Sequence, residues 1–128
     1  MDNIDSSETL LHTLANHASD PEHASCNALE CAQDSITYAQ LWSVVTGLAA
    51  ELESQFGPRP TLAIVSENHP YIIAIIFATW SIGGIVAPLD IHASKVLMEG
   101  MLTKIAPHGL VASSMDDVTQ AISTSAFF

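Results

Sequence analysis

Positive charge is what this sequence has least of. Its 128 residues include 14 acidic side chains but only three basic ones, which gives a formal net charge of −11 at pH 7. Binding to nucleic acid or to anionic lipid needs a cationic surface, so the composition argues against both kinds of partner. A large net negative charge is typical of a surface that self-repulsion keeps soluble. The three basic residues are Arg59, Lys95 and Lys104.

Cysteine is scarce as well, and the chain does not begin like a secreted protein. Its first eight residues, MDNIDSSE, are acidic and polar, whereas a secretory signal starts with basic residues and an apolar core. We therefore expect a cytoplasmic, reducing location in which Cys26 and Cys31 stay free thiols. No ligand spacing predicts a metal site. The six histidines, expected to be surface or loop residues, are His12, His17, His23, His69, His92 and His108.

Charge is absent altogether from the stretch Tyr71–Leu89. A hydropathy window of this length is typical of a membrane span, which is one alternative for this chain. However, Gly83-Gly84 and Pro88 limit a helix here to about 12 to 14 residues, or roughly 20 Å, which is shorter than a ~30 Å hydrocarbon core. No cluster of Lys or Arg flanks the stretch to set a topology. We therefore predict no membrane partner.

The same region predicts a strand–helix–strand unit. Residues 61–65, TLAIV, are β-branched and apolar, as in a strand that is buried on both faces. Polar residues 66–69 and Pro70 then signal the start of a helix over Tyr71–Ile82. Gly83-Gly84 ends that helix, and Ile85–Ala87 forms a second strand that Pro88 ends. Such a βαβ unit has a right-handed crossover.

The clearest predicted helix covers 37–56, where apolar residues form one stripe. Thr37 caps it and Gln40 completes a capping box, while Gly57-Pro58 ends it. These elements predict one α/β domain with a partial parallel sheet of at least three strands, helices on both faces and a small N-terminal antiparallel hairpin. The other predicted elements are a helix over 8–17 capped by Ser6 or Ser7, strands over 24–30 and 35–37 joined at Gln33-Asp34, a loop over 90–93, a Ser94-capped helix that Pro107–Gly109 ends, a strand over 110–113, a helix over 116–122 and a tail over 123–128.

Motifs that would define a reaction are missing. The sequence has no GxxxxGK[ST] phosphate loop, no GxGxxG after a strand and no GxSxG nucleophile turn. Ser66, Glu67 and His69 follow a predicted strand at the sheet edge where ligands bind, but capping explains them and no third orienting group accompanies them. Gly83-Gly84 is typical of a helix stop, and Asp116-Asp117 of a pair that complements a helix dipole. No catalytic, cofactor-binding or metal-binding residue is therefore predicted.

Two short segments resemble core motifs of adenylate-forming, AMP-binding enzymes. Residues 35–41, SITYAQL, resemble the first motif, Thr-Tyr-x-Glu-Leu, with Gln40 in the place of Glu. Residues 80–90, WSIGGIVAPLD, resemble the second, Lys-Ala-Gly-x-x-x-x-Pro-Leu/Ile-Asp. The motifs occur in family order, and the resemblance covers residues 9–114, leaving 115–128 as a tail. Residues 67–101 are also similar to the adenylation domain of fungal multidomain reductases.

The resemblance implies part of an enzyme domain. Such enzymes activate a carboxylate with ATP and Mg²⁺ to give an acyl-adenylate and pyrophosphate, and then pass the acyl group to a thiol. The family's phosphate loop, nucleotide contacts and catalytic lysine have no counterpart in residues 1–128. The resemblance therefore implies a single partial domain that is inactive alone and binds no cofactor, with the remainder of an adenylation domain as its partner. A stand-alone α/β interaction or regulatory module is the alternative.

Overall fold

The computed structural model describes residues 9–30, 35–66 and 70–112. Within these ranges the chain forms a two-stranded antiparallel hairpin, a three-stranded parallel sheet and four helices. In the same ranges, no helix has the length and apolar character needed to cross a membrane. The elements are α1 (Leu10–Ser19), β1 (Asn27–Glu30), β2 (Ser35–Thr37), α2 (Tyr38–Phe56), β3 (Thr61–Val65), α3 (Pro70–Ser81), β4 (Ile85–Pro88), α4 (Lys95–Ile105) and β5 (Gly109–Ala112).

The parallel sheet has the strand order β4-β3-β5, with β3 in the centre. Leu62 of β3 lies opposite Val86 on one side and Gly109 on the other. The predicted strand over 61–65 and the βαβ unit that follows it are confirmed. The predicted third strand exists but begins one residue earlier, at Gly109, and Ser113 lies outside the described residues.

Helices cover both faces of this sheet, as predicted. On the first face, Leu62 and Ile64 of β3 pack with α1, α2 and α3. On the second face, Ala63 and Val65 pack with α4 and Leu110. Successive residues of a strand point to opposite faces, so one short strand contributes to two separate clusters. The buried residues are Leu14, Leu41, Val45, Leu48, Leu52, Leu62, Ile64, Ala74, Ile75, Ala78 and Val111 on the first face, and Ala63, Val65, Met98, Leu102 and Leu110 on the second.

The beginning of the chain differs from the prediction. Helix α1 runs two residues further than expected, and its N-cap is Thr9, whose hydroxyl accepts a hydrogen bond from the His12 N–H at 3.2 Å. The predicted caps Ser6 and Ser7 lie outside the described residues. Residues 24–26 do not belong to the first strand, because the N–H of Ala24 donates to the Asp20 carbonyl and closes a turn there.

The two outer helices begin and end close to the predicted positions. Ser94 caps α4, but α4 ends at Ala106, a left-handed residue with φ of 48°, before the predicted stop at residues 107–109. Helix α3 is apolar nearly all round, yet only one side is buried, and the rest of it is exposed. The predicted caps at 67–69, the turn at 33–34, Cys31 and the helix at 116–122 lie outside the described residues.

Candidate functional site

The edge of the sheet where β3 and β4 end is the place where an α/β fold of this kind binds ligands. Because the strands are parallel, Ser66 after β3 and Asp90 after β4 emerge at this same carboxyl edge. The pairing continues one residue past β4, since the N–H of Leu89 donates to the Ile64 carbonyl at 2.8 Å. Of the residues predicted near this edge, Glu67 and His69 lie outside the described ranges. The candidate site therefore rests on Ser66 and Asp90.

Asp90 orders the loop that leads from the carboxyl edge into α4. Its Oδ1 accepts a hydrogen bond from the His92 N–H at 2.9 Å, and its carbonyl accepts one from the Ala93 N–H at 3.1 Å. An aspartate that bonds the backbone two residues ahead closes a tight turn. Ser94 then caps α4 by accepting from the Leu97 N–H. The observed role of Asp90 is thus to direct the chain from β4 into α4.

The paired glycines of the second motif fill a tight join between α3 and β4. Their N–H groups donate to carbonyls within the protein, Gly83 to Trp80 at 3.0 Å and Gly84 to Thr79 at 2.9 Å. A Cβ at Gly84 would lie 2.5 Å from the Pro60 carbonyl oxygen, so only glycine fits there. A phosphate cradle needs N–H groups that point at the ligand. These glycines are engaged in ending a helix, as predicted.

The first motif is a helix cap. Thr37 accepts a hydrogen bond from the Gln40 N–H at 3.1 Å, while the Gln40 side chain accepts one from the Thr37 N–H at 3.0 Å. This reciprocal pair is the predicted capping box, and glutamine supplies the carbonyl oxygen where the family pattern has glutamate. The N–H of Tyr38 also donates to the Cys26 carbonyl, which fixes the hairpin to the start of α2. Both motifs therefore use their polar groups for folding.

Metal ligands do not gather in the described part of the chain. No three His, Cys, Asp or Glu residues within residues 9–30, 35–66 and 70–112 are arranged to hold a metal ion. Cys26 is an exposed free thiol, and its sulfur donates to the Glu22 carbonyl at 3.4 Å.

His108 has a structural role that its isolated position in the sequence does not signal. Its Nδ1 accepts from the Thr61 N–H at 2.9 Å, and its own N–H donates to the Thr61 carbonyl at 2.8 Å. These two bonds hold the loop before β5 against the start of β3. Sequence reasoning missed this contact, because the two residues are 47 positions apart and no local motif links them.

Comparison with protein families identifies the chain. The family model described as AMP-binding enzyme matches residues 15–126. The chain belongs to the AMP-binding enzyme family. Two curated relatives fit this family: hispidin synthase of Neonothopanus nambi, 40% identical over 114 residues, and a plipastatin synthase of Bacillus subtilis (strain 168), 30% identical over 82 residues. These matches cover 89% and 64% of the chain.

Solved AMP-binding proteins share the fold. VinN in complex with L-aspartate superposes with a TM-score of 0.83 at 17% identity, over 93% of this chain and 34% of VinN. The o-succinylbenzoate CoA synthetase of Bacillus subtilis, in complex with its acyl-adenylate intermediate, gives 0.76 at 18% identity, over 90% and 30%. The match spans only 7% of hispidin synthase and 3% of the plipastatin synthase. The chain thus corresponds to part of an AMP-binding domain and to a small part of these long relatives.

Proposed function

We propose that this chain builds the opening scaffold of an acyl-adenylate-forming ligase and does not carry out ATP chemistry by itself. The family match over residues 15–126 carries the proposal. In the complete domain, ATP and Mg²⁺ would activate a carboxylate as an acyl-adenylate, which a thiol then receives. The groups that hold the nucleotide would come from the remainder of such a domain.

The hydrogen bonding of the two motifs supports this division of labour. Thr37 and Gln40 bond to each other's backbone, and the N–H groups of Gly83 and Gly84 bond to α3 carbonyls. Groups that are already satisfied within the fold are poorly placed to bind phosphate or magnesium as well. At the carboxyl edge, Asp90 is engaged with the loop that follows it. We infer that the two motifs position strands and helices and do not touch the nucleotide.

The open edges of the sheet support the remainder of an adenylation domain as the partner. Within the described residues, β4 and β5 each pair on one side only. Ile85 on the β4 edge is 62% exposed, and an open edge offers unpaired backbone groups to another strand. The net charge of −11 favours neither nucleic acid nor an anionic membrane surface as a partner. We place the chain in the cytoplasm, with its thiols reduced.

A pyrophosphate-exchange assay tests the absence of activity. The purified 128-residue chain is incubated with ATP, Mg²⁺, labelled pyrophosphate and a panel of aliphatic, aromatic and amino acids. We expect no exchange above a blank without protein, and no saturable binding of ATP by calorimetry. Clear carboxylate-dependent exchange, or stoichiometric ATP binding, would contradict the proposal.

A chimera tests the scaffold role directly. Residues of this chain replace the matching 114-residue segment of hispidin synthase, to which they are 40% identical. We expect the chimera to keep carboxylate-dependent ATP–pyrophosphate exchange. A second chimera that carries Gly84→Val should lose it, because the side chain would collide with the Pro60 carbonyl. A folded first chimera with no exchange would show that this chain cannot serve as an adenylation scaffold.

Two finer alternatives remain for the parent protein and for the chain alone. A fungal multidomain reductase rests on the resemblance of residues 67–101, whereas the fungal relative at 40% identity is named a synthase. A stand-alone interaction module would be a monomer with sharp, reversible thermal unfolding. A chain that lacks its remainder should instead be marginally stable and should self-associate through its open sheet edges.

A further inference from the structure

We propose that a cluster at the end of α1 acts as a pH-sensitive clasp, which holds α1 against the start of α2 and loosens when both of its imidazoles are protonated. We call this cluster the histidine corner, and it consists of His17, Asp20, His23 and Tyr38. The proposal is independent of the proposed adenylation role, because it concerns how the first helix is fastened and does not involve a substrate.

Ring contacts and one short hydrogen bond define the histidine corner. The imidazoles of His17 and His23 stack with centroids 4.6 Å apart and planes inclined by 15°. The His17 ring also meets the Tyr38 ring edge to face at 5.1 Å. On the other side, His23 Nδ1 lies 2.7 Å from Asp20 Oδ2. The cluster therefore links the last turn of α1 to the first residue of α2 through side chains alone.

The backbone around these side chains ties the same two helices together. The Asp20 N–H donates to the carbonyls of Asn16 and His17, which closes α1. The N–H of Ala39, in the first turn of α2, donates to the Ala24 carbonyl at 3.0 Å. A change in the stacking of His17 on His23 would therefore act directly on the seam between α1 and α2.

Electrostatics allow this cluster one proton more comfortably than two. With one proton, a charged His23 pairs with the Asp20 carboxylate while a neutral His17 stacks on it. A second proton places two cations 4.6 Å apart, a repulsion of about 1 kcal/mol at the dielectric constant of water, or roughly fivefold in an equilibrium constant. Because the Asp20 and His23 side chains are partly exposed, the dielectric constant of water is the appropriate one.

Asp20 itself stays ionised across the range in which histidine titrates. The Glu22 backbone N–H, followed by the His23 ring, lowers the pKa of the Asp20 carboxyl below its ordinary value. A lowered pKa gives stability that is present above the ordinary value and is lost as the pH falls through the folded-state value, which for Asp20 means below about pH 4. The other titratable groups on the elements around the corner are His12 on α1, Glu22 and Cys26 in the turn, Glu30 on β1 and Tyr71 on α3.

An open apolar groove lies beside the histidine corner. It has a volume of about 310 Å³ and is bounded by α1, the hairpin, α2 and α3. His17 and Tyr38 form one wall, and Leu10, Leu29 and Phe77 contribute apolar surface. Because α1 is one side of this groove, loosening the clasp would widen it. The corner thus couples acidification to exposure of the apolar surface under α1.

Urea unfolding of the full 128-residue chain at two values of pH, about 7.5 and about 5.5, on either side of the ordinary histidine pKa, tests the clasp. His17→Phe keeps an aromatic ring for stacking and for the Tyr38 contact but removes one of the two cations. Acidification should raise the unfolding equilibrium constant about fivefold more in the wild type than in His17→Phe. His12→Phe, an exposed change on the same helix, is the matched control and should behave like the wild type.

The opposite outcomes are equally clear. Equal pH dependence of the wild type and His17→Phe would overturn the proposal. If His17→Phe fails to fold, NMR titration of the wild-type imidazole protons decides. The two stacked rings should titrate in two linked steps while His12 and His92 titrate singly. Independent single-step curves for His17 and His23 would overturn the proposal.

Discussion

The two faces of the parallel sheet are built to different depths. On the first face, three helices bury a contiguous cluster that includes Leu52 and Val45 with no exposed surface. On the second face, α4 alone covers the sheet within the described residues, and its outer residues Val96 and Leu97 are 81% and 55% exposed. A single helix over a sheet leaves its outer side without a neighbour. The first face is a finished core, whereas the second has the exposure expected where we propose that more of an adenylation domain packs.

The largest expected difference is between core leucines on the two faces. Leu52→Ala, in the centre of the first face, should lower the free energy of unfolding by about 4 kcal/mol, whereas Leu102→Ala on the second face should cost about 2.5 kcal/mol. Leu52 has no exposed surface, so its removal leaves a closed cavity. Urea unfolding followed by circular dichroism measures both. Equal losses would mean that the two faces are equally well packed.

Two glycine-to-alanine changes sharpen the comparison, because they should have opposite signs. Gly84→Ala places a methyl group 2.5 Å from the Pro60 carbonyl oxygen and should destabilise the chain by about 3 kcal/mol. Gly100→Ala, within α4, meets no atom within 4 Å and should stabilise it by up to about 1 kcal/mol through helix propensity. Thermal unfolding of both variants provides the measurement. A neutral Gly84→Ala would refute the tight join between α3 and β4.

The smallest expected contrast concerns the helix caps. Thr37→Ala removes a capping box at the start of α2 and should cost about 1 kcal/mol. Ser94→Ala removes a single cap bond on α4 and should cost roughly half as much. Amide hydrogen exchange in the first turn of each helix reports the local effect. A larger loss at Ser94 would show that α4 depends on its cap more than α2 does.

Local signals in the sequence predicted most of the secondary structure. The box at Thr37 and Gln40, the stop at Gly57 and the strand at 61–65 are confirmed, because each depends on residues adjacent in the chain. The predicted start of α1 was wrong, since Ser6, Ser7 and Thr9 are all acceptable caps and only the fold selects one. The predicted start of the short first strand was wrong as well, because the Asp20 carbonyl captures the Ala24 N–H in a turn.

The absence of catalytic, cofactor-binding and metal-binding residues stays a prediction, and the contacts that sequence reasoning missed are all long-range or depend on how elements meet. His17 and His23 are not spaced to lie on one helix face, yet the turn after α1 stacks their rings. His108 meets Thr61 across the sheet. Neither contact has a periodicity or motif that could have predicted it.

By itself, the sequence determined the order of the elements, the ends of α2 and the strand–helix–strand unit, because capping residues, glycines and apolar runs act over a few residues. Only the tertiary structure decided which side of the uniformly apolar α3 is buried, which face of the sheet is deep and which histidines touch. Those outcomes depend on which surfaces meet when distant segments pack, and a local pattern does not contain that information.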